Sequence, residues 1–193
     1  MENRDTPGLR HRGTVPLTTQ RLLLRQIQPE DAADVYAWMS DPEVCKYERW
    51  QPHPSVEYSR GYIREVFGGY QSDHLYWWGI QLQGRLIGSI CAVGVDDGDE
   101  KATLGYCLAR EYWSQGYATE ALRAVLAFLF EEVGFHRLEA SHSVNNPASG
   151  KVLRKAGLLL EGHAKGYYRC HAGFQDSDLY GLTQEDYRKA QKG

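Results

Sequence analysis

The 193-residue chain is 42% hydrophobic and 24% charged, with a net charge of −3. It fits one domain with its own core, and a broad electrostatic hold on nucleic acid is not expected. Its four cysteines, Cys45, Cys91, Cys107 and Cys170, show no CxxC spacing, which argues for reduced thiols in a cytoplasmic protein rather than a disulfide framework. With no apolar run of about 18 residues and no apolar signal core, neither membrane insertion nor secretion is expected.

Residues 1–16 hold Pro7, Gly8, Gly13 and Pro16 without periodicity and read as a flexible lead-in to a single domain over 17–193. Leu22, Leu24 and the flanking arginines Arg21 and Arg25 are read as a first strand. Pro29, Glu30 and Asp31 then open a helix with Ala32, Val35, Tyr36 and Met39 on its apolar side, and a second helix is predicted over about 55–67. Strands are predicted at 76–82 and 85–95, joined by a tight Gln83–Gly84 hairpin, and at 101–108 after an acidic turn, which together make an antiparallel meander. Of Trp77 and Trp78, one ring should point inward and one outward.

The most informative stretch follows. Gln115, Gly116, Tyr117, Ala118 and Thr119 run into a helix predicted over 116–133, whose stripe is Ala118, Ala121, Leu122, Val125, Leu129 and Val133. Small residues there leave free backbone N–H groups that can face one anion at the positive end of the helix dipole. An ordinary turn would look the same. After a strand at 137–144, Asn146 caps a short helix with Pro147 at its start and Gly157 past its end. No Gly-Lys-Ser/Thr phosphate loop and no GxGxxG motif competes.

This order of strand, small-residue helix start, long helix, strand, capped short helix and strand resembles the GNAT superfamily of N-acetyltransferases, which use acetyl-coenzyme A. Gln20 to Arg25 followed by Asp31, the run Asp41-Pro42-Glu43-Val44, and the closing positions Gly157, Leu158, Glu161, Gly162, Lys165, Gly173, Asp176, Leu179, Tyr180 and Leu182 are similar to its RimJ/RimL-like branch. That branch acetylates protein N termini. The resemblance covers about residues 18–183. It implies an α+β fold with a mixed, mostly antiparallel sheet, helices on both faces, and a splay between strands 101–108 and 137–144. Backbone at Tyr106, Cys107 and Leu108 would then bond the pantetheine arm, where propensity alone reads an ordinary buried strand. Gln115 to Thr119 would hold the pyrophosphate, and Asn146, Ser149 and Lys151 could touch the cofactor, Lys151 being otherwise a solvated helix charge.

Acetyl transfer needs a neutral amine and a proton for the departing thiolate. Glu139, Ser141 and Ser143 share one strand face by the two-residue period, so Glu139 is a candidate base acting through water, or else a partner of Arg137. Ser149 is a candidate proton donor, or else only a helix-start residue. Trp113 and Leu153 depart from the family pattern, which more often has Arg or Gln at the first position and a tyrosine acid at the second. Trp50, Tyr167 and Tyr168, in segments 44–62 and 164–174, are candidate acceptor contacts, although they could equally pack a lid or a homodimer contact. His136 and His142 lack the spacing of metal ligands, and no metal is expected. The function expected is transfer of acetyl to a peptide or protein α-amino group. Transfer to a small amine such as an antibiotic, polyamine or amino acid, and a non-catalytic acyl-coenzyme A sensor, remain the alternatives.

Overall fold

The computed structural model describes residues 8–192. In chain order the strands are β1 (Leu17–Thr18), β2 (Leu23–Arg25), β3 (Tyr76–Leu82), β4 (Arg85–Asp96), β5 (Lys101–Leu108), β6 (Arg137–Ser143), β7 (Leu159–Cys170) and β8 (Gly173–Thr183). They form one mixed sheet in the order β1-β2-β3-β4-β5-β6-β8-β7, in which only β5 and β6 run parallel. The helices are α1 (Ala32–Met39), α2 (Pro42–Cys45), α3 (Val56–Phe67), α4 (Tyr117–Ala127), α5 (Pro147–Ala156) and α6 (Gln184–Ala190).

Local chemistry sets most boundaries. Gln83 at φ 49° and Gly84 at φ 88° make the two-residue turn whose twist suits adjoining strands, so β3 and β4 pair as a hairpin. The Asp41 carboxylate accepts from the Glu43 N–H and starts α2, while the Ser55 hydroxyl accepts from the Tyr58 N–H and starts α3. Asn146 does the same for α5, which ends at Gly157 in the left-handed conformation.

Both sheet faces are covered. Trp78, Tyr76, Ile90, Leu104, Leu122, Val125, Leu138, Leu153 and Tyr180 belong to one core cluster with α4 and α5, and Ile27, Val35, Trp38, Met39, Ile63, Leu86 and Cys107 to a second with α1 and α3. Each fully buried aliphatic side chain contributes roughly 1.5–3 kcal/mol. This corrects the expectation for the tryptophan pair: Trp78 enters the first core and Trp77 packs against the second, because helices leave neither face to water.

The long helix also differs from its prediction. It is α-helical only to Ala127 and continues as a wider π turn over Phe128–Val133, with Gly134 donating to the Leu129 carbonyl at 2.9 Å. Carbonyls there are answered from elsewhere: Val133 by the Arg10 amide, Phe130 by the Gln184 side chain. The widening lets Phe128, Leu129, Phe130 and Val133 all be buried. Sequence periodicity gave no warning of β1, α2 or α6.

Of the lead-in, residues 1–7 lie outside the described residues. Residues 8–16 are tied down rather than loose: Arg10 bonds Val133, Gly13 donates to the Asp73 carbonyl, and the buried Thr14 bonds the Leu75 carbonyl at 2.6 Å.

Candidate active site

The site follows from how two neighbouring strands part. β5 and β6 pair only at Lys101–Arg137, Ala102–Leu138 and Thr103–Glu139. Beyond that point β4 continues to pair with β5 as far as Leu108, and β8 with β6 as far as Ser143. Each strand follows its outer neighbour, leaving a wedge-shaped splay of the expected kind. Its open end is bounded by the starts of α4 and α5.

At the first boundary, Gly116 takes φ 85° and α4 begins with no side-chain cap, so the leading amides from Tyr117 to Thr119 stay available. The Gln115 side chain does not cover them, because it donates back to the Glu111 carbonyl at 2.7 Å. Arg21 reaches this corner from the segment before β2. It bonds Glu120 through Nε at 2.6 Å, donates to the Gln115 carbonyl, and lies 4.3 Å from the centre of the Tyr117 ring. Sequence reasoning missed Arg21, whose contacts come from about a hundred positions away. An uncapped helix start with a guanidinium beside it suits an anion such as a pyrophosphate.

Across the splay, the Tyr106 hydroxyl lies 2.9 Å from both the backbone oxygen and the Oγ of Ser149. The structure thus brings together two of the predicted residues, one from β5 and one from the first turn of α5. Burial pushes the Tyr106 phenol well above its usual range, partly offset by the bond to Ser149, so it stays protonated. Burial also pushes the Cys91 thiol up to about 12 and raises Cys107 further, so neither thiol is available as a nucleophile. The Leu108 carbonyl, expected to bond pantetheine, already accepts from the Trp113 indole at 2.8 Å. Leu153 is fully buried in the first core, so the position of a tyrosine acid is structural here.

Glu139 is not brought to Tyr106 and Ser149. It lies where β5 and β6 still pair, and its carboxylate is 2.6 Å from Arg137 Nε. Arg137 also grips Glu161 and is held strongly in its charged form by the two carboxylates. Lys151 is exposed on α5, and Asn146 is occupied in capping. Among the acceptor candidates, Trp50 packs against the second core, Tyr168 donates to the Tyr47 carbonyl at 2.9 Å, and Tyr167 is exposed.

The second residue that sequence reasoning missed is Glu48, just after α2. The chain around it is clasped to β7: Tyr168 bonds Tyr47, the Cys170 thiol donates to the Lys46 carbonyl at 3.5 Å, and Arg49 lies 5.1 Å from the centre of the Tyr168 ring. The cations on either side are engaged elsewhere, since Lys46 faces Glu43 and the Tyr47 ring while Arg49 faces Tyr168. Among the described residues no hydrogen bond or ion pair reaches the Glu48 carboxyl. Burial therefore pushes it up to about 7. Its charge acts on Cys91, Tyr106, Cys107 and Tyr168, which belong to strands on both sides of the splay. Nothing local in the sequence marks Glu48. Only the fold brings it within electrostatic reach of these strands.

Comparison with known proteins agrees with this geometry. Residues 21–159 match the model of the Acetyltransferase (GNAT) domain. The chain is 30% identical over 170 residues to the uncharacterized N-acetyltransferase YoaA of Bacillus subtilis (strain 168), covering 87% of this chain and 96% of that one. It is 28% identical over 196 residues to the [Ribosomal protein uS5]-alanine N-acetyltransferase of Escherichia coli (strain K12), covering 92% and 96% respectively. The crystal structure of a GNAT-family acetyltransferase from Bacillus anthracis superposes with a TM-score of 0.78 at 25% identity, covering 89% of this chain and 99% of that one.

Proposed function

The chain belongs to the GNAT acetyltransferase family and is an N-acetyltransferase, and from that premise we propose that it moves acetyl from acetyl-coenzyme A to the α-amino group of a peptide or protein. The observation that carries the reading is the splay: two parted strands with an uncapped helix start at one side and a Tyr106–Ser149 hydroxyl pair at the other. The Gly116–Thr119 amides with Arg21 would hold the pyrophosphate, and the free edge of β5 near Tyr106 and Cys107 would receive the pantetheine amides as a strand would. The donor supplies a thioester already activated for attack.

The residues do the rest by moving protons. Glu48 takes one proton from the incoming ammonium and passes it to water, which frees the amine lone pair. The new C–N bond forms as the C–S bond breaks. Of the two protons left on nitrogen one stays on the amide; the other is lost as the bond forms and reaches the thiolate through the Ser149 hydroxyl, which gives its own proton to sulfur, takes this one in return and is held in place by Tyr106. Both buried thiols are protonated, which favours direct transfer without an acyl-cysteine. An α-amino group, with a pKa near 7.7–8.0, costs only about 1 kcal/mol to neutralise at pH 7, whereas a lysine costs about 4, and a base that titrates near 7 matches the former. Likeness to the uS5-alanine enzyme supports the same acceptor class. Free cysteines and the lack, among the described residues, of a helix long and apolar enough to cross a membrane fit a cytoplasmic enzyme.

The test is thiol release from acetyl-coenzyme A with a panel of acceptors. Lysine-free peptides with free N termini should turn over, and N-terminally blocked ones should not. Turnover confined to polyamines, aminoglycosides or amino acids would replace the acceptor, and donor binding without any turnover would favour a sensor.

A further inference from the structure

Three segments far apart in the chain meet at the end of the sheet where residues 8–16 lie. His11 comes from that lead-in, His74 from the turn before β3, and Asp97 from the acidic turn between β4 and β5. The His11 side chain is 7% exposed, whereas His74 and Asp97 are half-exposed. The two imidazoles stack with centroids 3.8 Å apart.

Each ring has one nitrogen already engaged. His11 Nδ1 is 2.8 Å from the Tyr76 hydroxyl, and His74 Nδ1 is 2.6 Å from the Asp73 carboxylate. Both Nε2 atoms therefore turn to one carboxylate: His11 Nε2 lies 3.1 Å from Asp97 Oδ1 and His74 Nε2 lies 3.7 Å from Asp97 Oδ2. One donor atom from each residue lies within 4.8 Å of the other two. Ligands bound tetrahedrally at about 2.0–2.1 Å stand about 3.3 Å apart, close to the 3.1 Å between His11 Nε2 and Asp97 Oδ1, and the stacked rings would swing apart for both Nε2 lone pairs to meet one ion. Asp97 is also not neutralised by the nearby lysine, because Lys101 is 2.6 Å from Asp99. A ligating imidazole whose second nitrogen is fixed by a carboxylate or hydroxyl is the usual outer-sphere arrangement of metal-bound histidine.

We propose that His11 Nε2, His74 Nε2 and an Asp97 oxygen form a site for a divalent d-block cation, best suited to zinc, with water completing four-coordination. Two imidazoles and one carboxylate favour zinc, copper or nickel over magnesium or calcium. Binding displaces the Nε2 protons to solvent. The His11 ring then carries its proton on Nδ1 and donates it to the Tyr76 oxygen, while His74 Nδ1–H donates to Asp73. The ion would staple residues 8–16 to both ends of the β3–β4 hairpin.

The experiment uses the full chain without an affinity tag, stripped with a chelator, and titrated with zinc by calorimetry and with cobalt by visible absorption. One equivalent of zinc, intense bands of four-coordinate cobalt, and a thermal midpoint raised by zinc are expected. Asp97→Asn and His74→Ala, both at half-exposed positions, should keep the near-ultraviolet dichroism of the parent and weaken zinc binding at least tenfold. No saturable zinc binding by the parent, or binding unchanged in both variants, overturns the site. Acetyl transfer is measured separately and bears on the reading of the splay alone.

Discussion

The two ends of the splay treat charge in opposite ways. At the closed end, where β5 still pairs with β6, the Glu139 carboxylate is met by Arg137, which Glu161 also holds. Toward the open end, no counter-ion among the described residues meets Glu48, and burial lifts its carboxyl from 4.5 to about 7. Paired backbone comes with paired charge; parted backbone comes with an unmet carboxylate, an uncapped helix start and two hydroxyls that satisfy each other. The closed end is built to stay folded, and the open end holds groups ready to change partners.

Four substitutions probe that contrast. The largest effect is expected from Glu48→Gln, which should lower kcat/KM by about 10²–10⁴ while leaving acetyl-coenzyme A binding intact, as read by steady-state kinetics and calorimetry. The same change should stabilise the fold. A carboxyl whose folded pKa exceeds its unfolded value gives stability that is full below about 4.5 and lost as pH rises through about 7. Urea denaturation should therefore show parent and variant diverging between those values, by up to about 3 kcal/mol above pH 7.

Ser149→Ala should come next, cutting kcat by about 10²-fold with little change in KM, since it removes the proton donor but not the bound hydroxyl of Tyr106. Gly116→Ala places a side chain at φ 85°, a left-handed conformation that costs roughly 1–2 kcal/mol for other residues, and its Cβ would come within 3.4 Å of Arg21. The KM for acetyl-coenzyme A should rise about tenfold, with a smaller change in kcat. Glu139→Gln should do least. Arg137 keeps Glu161, so activity should change by less than about twofold and stability by less than about 1 kcal/mol. A collapse of activity there, with Glu48→Gln silent, would reverse the roles of the two ends.

How much was legible in the sequence divides along the same line. Strands β3 to β6, the Gln83–Gly84 turn and the capped α5 could be read because alternation, turn chemistry and capping are local. Gln115 to Thr119 could be read for the same reason, since the helix start and the small residues that keep it open adjoin. What stayed hidden came from distant segments meeting: Arg21 beside Gly116, Glu48 clasped by Tyr168 and Cys170, and His11 against His74 and Asp97. The π turn after Ala127 was hidden too, because Arg10 and Gln184 supply bonds that its own sequence does not announce.

The most direct test is the pH dependence of kcat/KM for a lysine-free peptide with a free N terminus, compared between the parent and Glu48→Gln. The parent should show a limb with an apparent pKa near 7 that disappears in the variant, together with most of the rate. A variant that keeps both the limb and the parent's rate would contradict the claim that the open end of the splay holds the base.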